Sequence, residues 1–163
     1  MDKQGSNLVC REHGRGGTCP GYSGSERQAG EGGAERGWVC GGAGKERRDG
    51  GTGDDTRFAG DGDDLLDGGA GDDTLSGGPG TDTYVLKGGG GQDIVTQDDV
   101  LGTSDSLIIQ VDAALRPADV NLTREDDGSG SSLVVSVNGG ADSLRLPSCV
   151  DASRPVEIHF GDG

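Results

Sequence analysis

Between Gly50 and Thr96 the chain repeats itself every nine residues, and this period constrains the fold more than any other feature. The units read GGTGDDTRF, AGDGDDLLD, GGAGDDTLS and GGPGTDTYV, then, after the two extra residues Leu86 and Lys87, GGGGQDIVT. Position four is always Gly (Gly53, Gly62, Gly71, Gly80, Gly91) and position six is always Asp (Asp55, Asp64, Asp73, Asp82, Asp93). Position eight is Arg57, Leu66, Leu75, Tyr84 and Val95. A unit this short cannot bury its own apolar side chain, so neighbouring units must stack.

Composition says what the stack must overcome. Only 29% of the 163 residues are hydrophobic and 3% aromatic, and the formal net charge is −15. Low hydrophobicity with high charge opposes collapse, and an acidic chain repels nucleic acid phosphates. A bound cation would offset the charge. No apolar run is long enough to span a membrane, and Met1 to Arg11 lacks the apolar core of a signal peptide, so export would use another route.

The repeat has the chemistry of a calcium site. Calcium takes six to eight oxygens, from carboxylates and backbone carbonyls, at about 2.3–2.6 Å. A G-G-x-G-x-D turn exposes carbonyls, and its glycines allow the positive φ that so tight a turn requires. The expected ligands are Asp55, Asp64, Asp73, Asp82 and Asp93, with Gly60, Gly62, Gly69, Gly71, Gly78 and Gly80 in the turns. The last three residues of each unit form a short strand with position eight pointing inward. Two units make one coil, so calcium would lie between Asp55 and Asp73, Asp64 and Asp82, and Asp73 and Asp93. Leu66 should stack on Tyr84, and Arg57 should line up with Leu75 and Val95. A charge in that seam is costly, so the first unit is expected to fray or to act as a polar cap. Asp64 and Asp82 form the cleanest pair, since neither Arg57 nor the Leu86-Lys87 insertion falls between them.

The flanks differ. Residues 1–49 read as eroded repeats, mostly disordered, with Gly32-Gly33-Ala34 and Gly41-Gly42-Ala43-Gly44 still in register. Residues 97–163 read as a small β-meander domain. Its strands are Leu107–Val111, Val120–Arg124, Leu133–Val137, Ser143–Leu146 and Val156–Phe160, with a helical turn near Leu115–Asp119 and turns at Asp126–Gly130 and Asn138–Gly140. The fold class expected is therefore all-β: a parallel β-roll over 50–96, a β-meander after it and a disordered N-terminal third.

Residues 50–96 resemble the haemolysin-type calcium-binding repeats of RTX proteins. Residues from about 105 onward are similar to the haemolysin-type calcium-binding-related domain that follows such arrays, through Asp105-Ser106-Leu107, Pro117-Ala118-Asp119-Val120, Leu133–Val137, Asp142-Ser143-Leu144 and Phe160–Gly163. The resemblance implies a β-roll, calcium as the cofactor, a secreted, extracellular location and a type I secretion apparatus as partner. It also implies a longer parent protein carrying an enzyme, cytolysin or adhesin region.

Other chemistries fit poorly. Cys10, Cys19, Cys40 and Cys149 match no zinc spacing. Val39 and Glu46 break a P-loop around Gly44-Lys45, and no EF-hand spacing occurs. His13 and His159, the only histidines, lie in no catalytic pattern. The reading is a non-enzymatic calcium-binding module that folds on binding the ion. The alternative is an adhesive or C-terminal secretion fragment of a larger RTX toxin or hydrolase.

Overall fold

The computed structural model describes residues 29–31, 38–41, 44–45, 47–96, 106–126, 131–147 and 156–161. Cys10, Cys19, Cys149 and His13 lie outside the described residues. The short strands are β1 (Ala29–Glu31), β2 (Trp38–Cys40), β3 (Arg47–Asp49), β4 (Thr56–Phe58), β5 (Leu65–Asp67) and β6 (Thr74–Ser76). Longer ones follow: β7 (Asp82–Leu86), β8 (Gln92–Val95), β9 (Leu107–Val111), β10 (Asn121–Asp126), β11 (Ser131–Val137), β12 (Asp142–Leu146) and β13 (Val156–Phe160).

Successive units alternate between two sheets. One has the order β1-β3-β5-β7-β9-β13 and the other β10-β11-β12-β8-β6-β4-β2. Parallel pairing joins units two apart, as expected for coils of two units: Leu66 pairs with Tyr84, and Arg57 with Leu75. The Leu86-Lys87 insertion is absorbed without a change of register. Leu86 lengthens β7 and is buried, and Leu75 still pairs with Val95. The nine-residue frame that is faint before Gly50 is kept in space, because β1, β2 and β3 pair in parallel with β3, β4 and β5.

The core lies between the sheets. Leu66, Leu75, Tyr84, Val95, Ile109, Val111, Leu144 and Leu146 are all buried. In β4 and β5 only the central side chain turns inward, giving an intermediate–buried–intermediate pattern. Arg57 occupies that inward place and is 1% exposed. The first unit is therefore neither frayed nor an end cap. Its strand pairs with β2 on one side and β6 on the other.

The strands expected after residue 97 form, and β10, β11 and β12 make an antiparallel meander. The short helical turn is Pro117–Asp119. These strands continue the roll. β9 runs parallel to β7, β13 parallel to β9, and β12 parallel to β8. His159 lies on β13 and contacts the exposed Glu157 at 3.0 Å.

Truncating a side chain in the seam removes a buried contact that the coils above and below share. Leu66→Ala or Leu75→Ala should each cost about 2–5 kcal/mol, measured by denaturant unfolding. Ile94, 40% exposed on the outer face, should cost less than about 1 kcal/mol when changed to Ala. Equal losses at inner and outer positions would refute this placement of the core.

Candidate metal centre

The turns between strands stack in files, and the backbone at the expected glycines has the conformation the sequence requires. Gly60, Gly62, Gly69, Gly71, Gly78 and Gly80 all have positive φ. Space is as strict as torsion. A Cβ on Gly71 would fall 2.5 Å from the carbonyl oxygen of Gly53 in the coil beneath, and one on Gly80 would fall 1.9 Å from that of Gly62. Glycine is needed at position four because the carbonyl of one coil stands against the Cα of the next.

The Asp residues of position six are buried, all five of them. The three expected pairs come together through one recurring bond. The N–H of Asp55 donates to Asp73 Oδ1 at 2.7 Å, that of Asp64 to Asp82 Oδ1 at 3.0 Å, and that of Asp73 to Asp93 Oδ1 at 3.0 Å. Position five adds a second set that runs the opposite way. The N–H of Asp72 donates to Asp54 Oδ1 at 3.1 Å, that of Thr81 to Asp63 Oδ1 at 3.2 Å, and that of Gln92 to Asp72 Oδ1 at 2.9 Å. Each coil interface is thus clamped from both sides. The sequence reading treated Asp54, Asp63 and Asp72 only as neighbouring charge. Their signal was present: position five is Asp in the first three units but Thr81 and Gln92 in the last two, where no later repeat supplies a donor.

With Oδ1 engaged, Oδ2 is left for another partner. The Oδ2 of Asp73 is buried and accepts no hydrogen bond. It faces Asp93 Oδ2 across Gly68, where a Cβ would lie 2.5 Å from the first oxygen and 2.9 Å from the second. Gly68 thus keeps this cradle open, a role not read from the sequence; the residue at its position in the unit of Asp64 is Ala59. Among the described residues no three Asp, Glu, His or Cys side chains converge as a metal cluster, so a cation here would draw further oxygens from turn carbonyls. Two carboxyl oxygens at one opening are the hard donor type that a cation of calcium's kind takes.

Burial without a cation disfavours charge. The Asp93 carboxyl is pushed up to about 7, first by desolvation and then by the charges of Asp73, Asp67 and Asp72. The Asp73 carboxyl is pushed up to about 6 for the same leading reason, while Arg57 opposes the shift. Exposed Asp63 moves the other way, held down by Lys45 at 2.8 Å.

Both columns of Asp end against leucine. Leu144 pairs with Asp93, and Leu107 with Asp82. Both leucines are buried, so the next coil places an apolar side chain, not a carboxylate, at these positions.

Raised carboxyls bind protons more tightly folded than unfolded, so their contribution is full below about pH 4 and is lost as pH rises through about 6–7. In chelator, the strand signal in circular dichroism should therefore be larger at pH 5 than at pH 7.5. An equal or larger signal at pH 7.5 would contradict these shifts.

Comparison with known proteins agrees with the repeat frame. Residues 49–84 match the family model of the RTX calcium-binding nonapeptide repeat, in four copies. The match stops before the Leu86-Lys87 insertion and the fifth unit. No curated protein sequence matches the chain. Among solved structures, the chain is similar to the AlgE6R3 subunit of the Azotobacter vinelandii mannuronan C5-epimerase. The identity is 22%, with 88% of this chain and 86% of that one covered, at a TM-score of 0.30. Residues 49–84 are an array of RTX calcium-binding nonapeptide repeats.

Proposed function

We propose that this chain is a secreted, non-catalytic calcium-binding module whose roll folds on binding the ion. The observation that carries this reading is the convergence of Asp73 Oδ2 and Asp93 Oδ2 over Gly68, with the first of these buried and accepting no hydrogen bond. Asp73 with Asp93 and Asp64 with Asp82 would hold calcium, together with turn carbonyls at Gly60, Gly62, Gly69, Gly71, Gly78 and Gly80. The ion supplies the positive charge that lets these buried carboxyls stay ionised at neutral pH. The chain's own residues do the rest. The N–H of the earlier Asp holds Oδ1 of the later one and so aims Oδ2 at the cradle.

In this reading residues 50–96 form the calcium-binding unit, and residues 97–163 form the related C-terminal domain that closes its two columns. The site exists only when coils stack, so binding energy is folding energy. An affinity of about 10⁻⁴–10⁻³ M, as in extracellular calcium modules, would leave the chain unfolded in a cell and folded outside. Such a switch suits export through a type I secretion apparatus.

Circular dichroism during a calcium titration tests the proposal. Strand signal should grow between zero and about 10 mM calcium, and an unchanged spectrum would sink it. Asp73→Asn should weaken calcium binding by about tenfold or more, since changes outside the ligand shell already reach that size. An unaltered titration midpoint would remove Asp73 from the site.

A further inference from the structure

The buried guanidinium of Arg57 lies in the seam beside the first Asp pair. Its Nη2 is 3.2 Å from Asp55 Oδ2, its Nη1 donates to the Asp67 carbonyl at 3.3 Å, and its Nε has no hydrogen-bond partner. A cation buried this deeply with one donor unsatisfied is costly, and it persists only where something compensates it. The compensation is the carboxylate of Asp55, two residues earlier in the chain and just ahead of β4.

The place it occupies is informative. Gly50 and Gly68 are the first residues of units two apart, and a Cβ on Gly50 would strike the Gly68 carbonyl. The Cβ position of Gly68 lies 2.5 and 2.9 Å from the Oδ2 atoms of Asp73 and Asp93, whereas that of Gly50 lies 2.7 Å from Arg57 Nη2. One coil earlier, therefore, the space equivalent to the carboxylate cradle contains a cation belonging to the chain.

We propose that Arg57 is a built-in substitute for calcium: its guanidinium fills the cation position of the Asp55–Asp73 interface, so this first coil needs no metal. The inference rests on the calcium reading of the cradle over Gly68. It has a mechanical consequence. A tethered cation is present at every calcium concentration and loses no translational freedom on binding. In an array whose coils interact only with their neighbours, an interface that forms without metal lets the next interface build on it. The three units from Gly50 to Ser76, which contain the Asp55–Asp73 interface, then act as the seed, and the Asp73–Asp93 interface beyond them is completed by calcium.

Two neutral variants test this, Arg57→Leu, which restores the apolar residue of the repeat, and Arg57→Met, which keeps the reach of the side chain. Ions bound per chain are counted by equilibrium dialysis at saturating calcium, and strand content in chelator is read by circular dichroism. Both variants should bind one calcium more than wild type and show less strand signal without calcium. An unchanged ion count, or an undiminished calcium-free signal, overturns the proposal. So does failure of both variants to fold in saturating calcium, because a metal would then be unable to replace the guanidinium. The wild-type count separates the two ideas. A wild type that binds no calcium removes the calcium reading and this inference with it. A wild type that binds calcium, with variants that gain none, removes the role of Arg57 alone.

Discussion

Stacking identical coils brings like charges into register. Strands in a sheet are about 4.8 Å apart, and two carboxylates at that spacing repel by roughly 3 kcal/mol at an effective dielectric near 20. Asp55, Asp73 and Asp93 stand in one such column, and Asp64 and Asp82 in another. The rest of the roll is arranged around this repulsion. One oxygen of each later carboxylate takes a backbone N–H from the coil before it. At Asp55, the first Asp of its column in the repeats, Arg57 meets the carboxylate charge from within the chain. At Asp73 and Asp93 burial, with the neighbouring carboxylates behind it, pushes both carboxyls toward neutrality.

The columns must also end. A column that stopped in water would expose unpaired strand edges as well as uncompensated carboxylates. Here β9 and β12 add on to β7 and β8, and they place Leu107 and Leu144 over the last Asp of each column. The segment after the repeats is thus a continuation of both sheets in different chemistry. Its own core residues, Ile109, Val111 and Leu146, extend the apolar seam begun by Leu66 and Leu75.

How much of this was legible follows from where each constraint resides. The coil, the alternation between sheets and the pairs Asp64–Asp82 and Asp73–Asp93 were readable, because each depends on residue types at a fixed period. The strands after residue 97 were readable, three from their alternation and Leu107–Val111 from its β-rich composition. Their attachment to the roll was not, since parallel pairing across Asp82–Leu107 leaves no local mark in either segment. Arg57 was read only for its cost. Its compensation by Asp55 needed the side-chain path. The strands before Gly50 leave little mark in the sequence, because the pairing of β2 and β3 with β4 and β5 rests on backbone bonds that the eroded repeats do not advertise.

The two sets of Asp bonds explain a departure from the repeat that otherwise looks like noise. A position-six Asp accepts from the coil before it, so it is useful wherever an earlier coil exists. A position-five Asp accepts from the coil after it, so it is useful only where a later repeat follows. Asp54, Asp63 and Asp72 each have such a successor, and they hold the N–H groups of Asp72, Thr81 and Gln92. Thr81 and Gln92 themselves need only donate, and a carboxylate there would add charge at the end of the array without a repeat to receive it. Position five therefore stops being Asp in the last unit of each column while position six remains Asp throughout. The polarity of the array, its beginning and its end, is written in which member of each Asp-Asp pair survives.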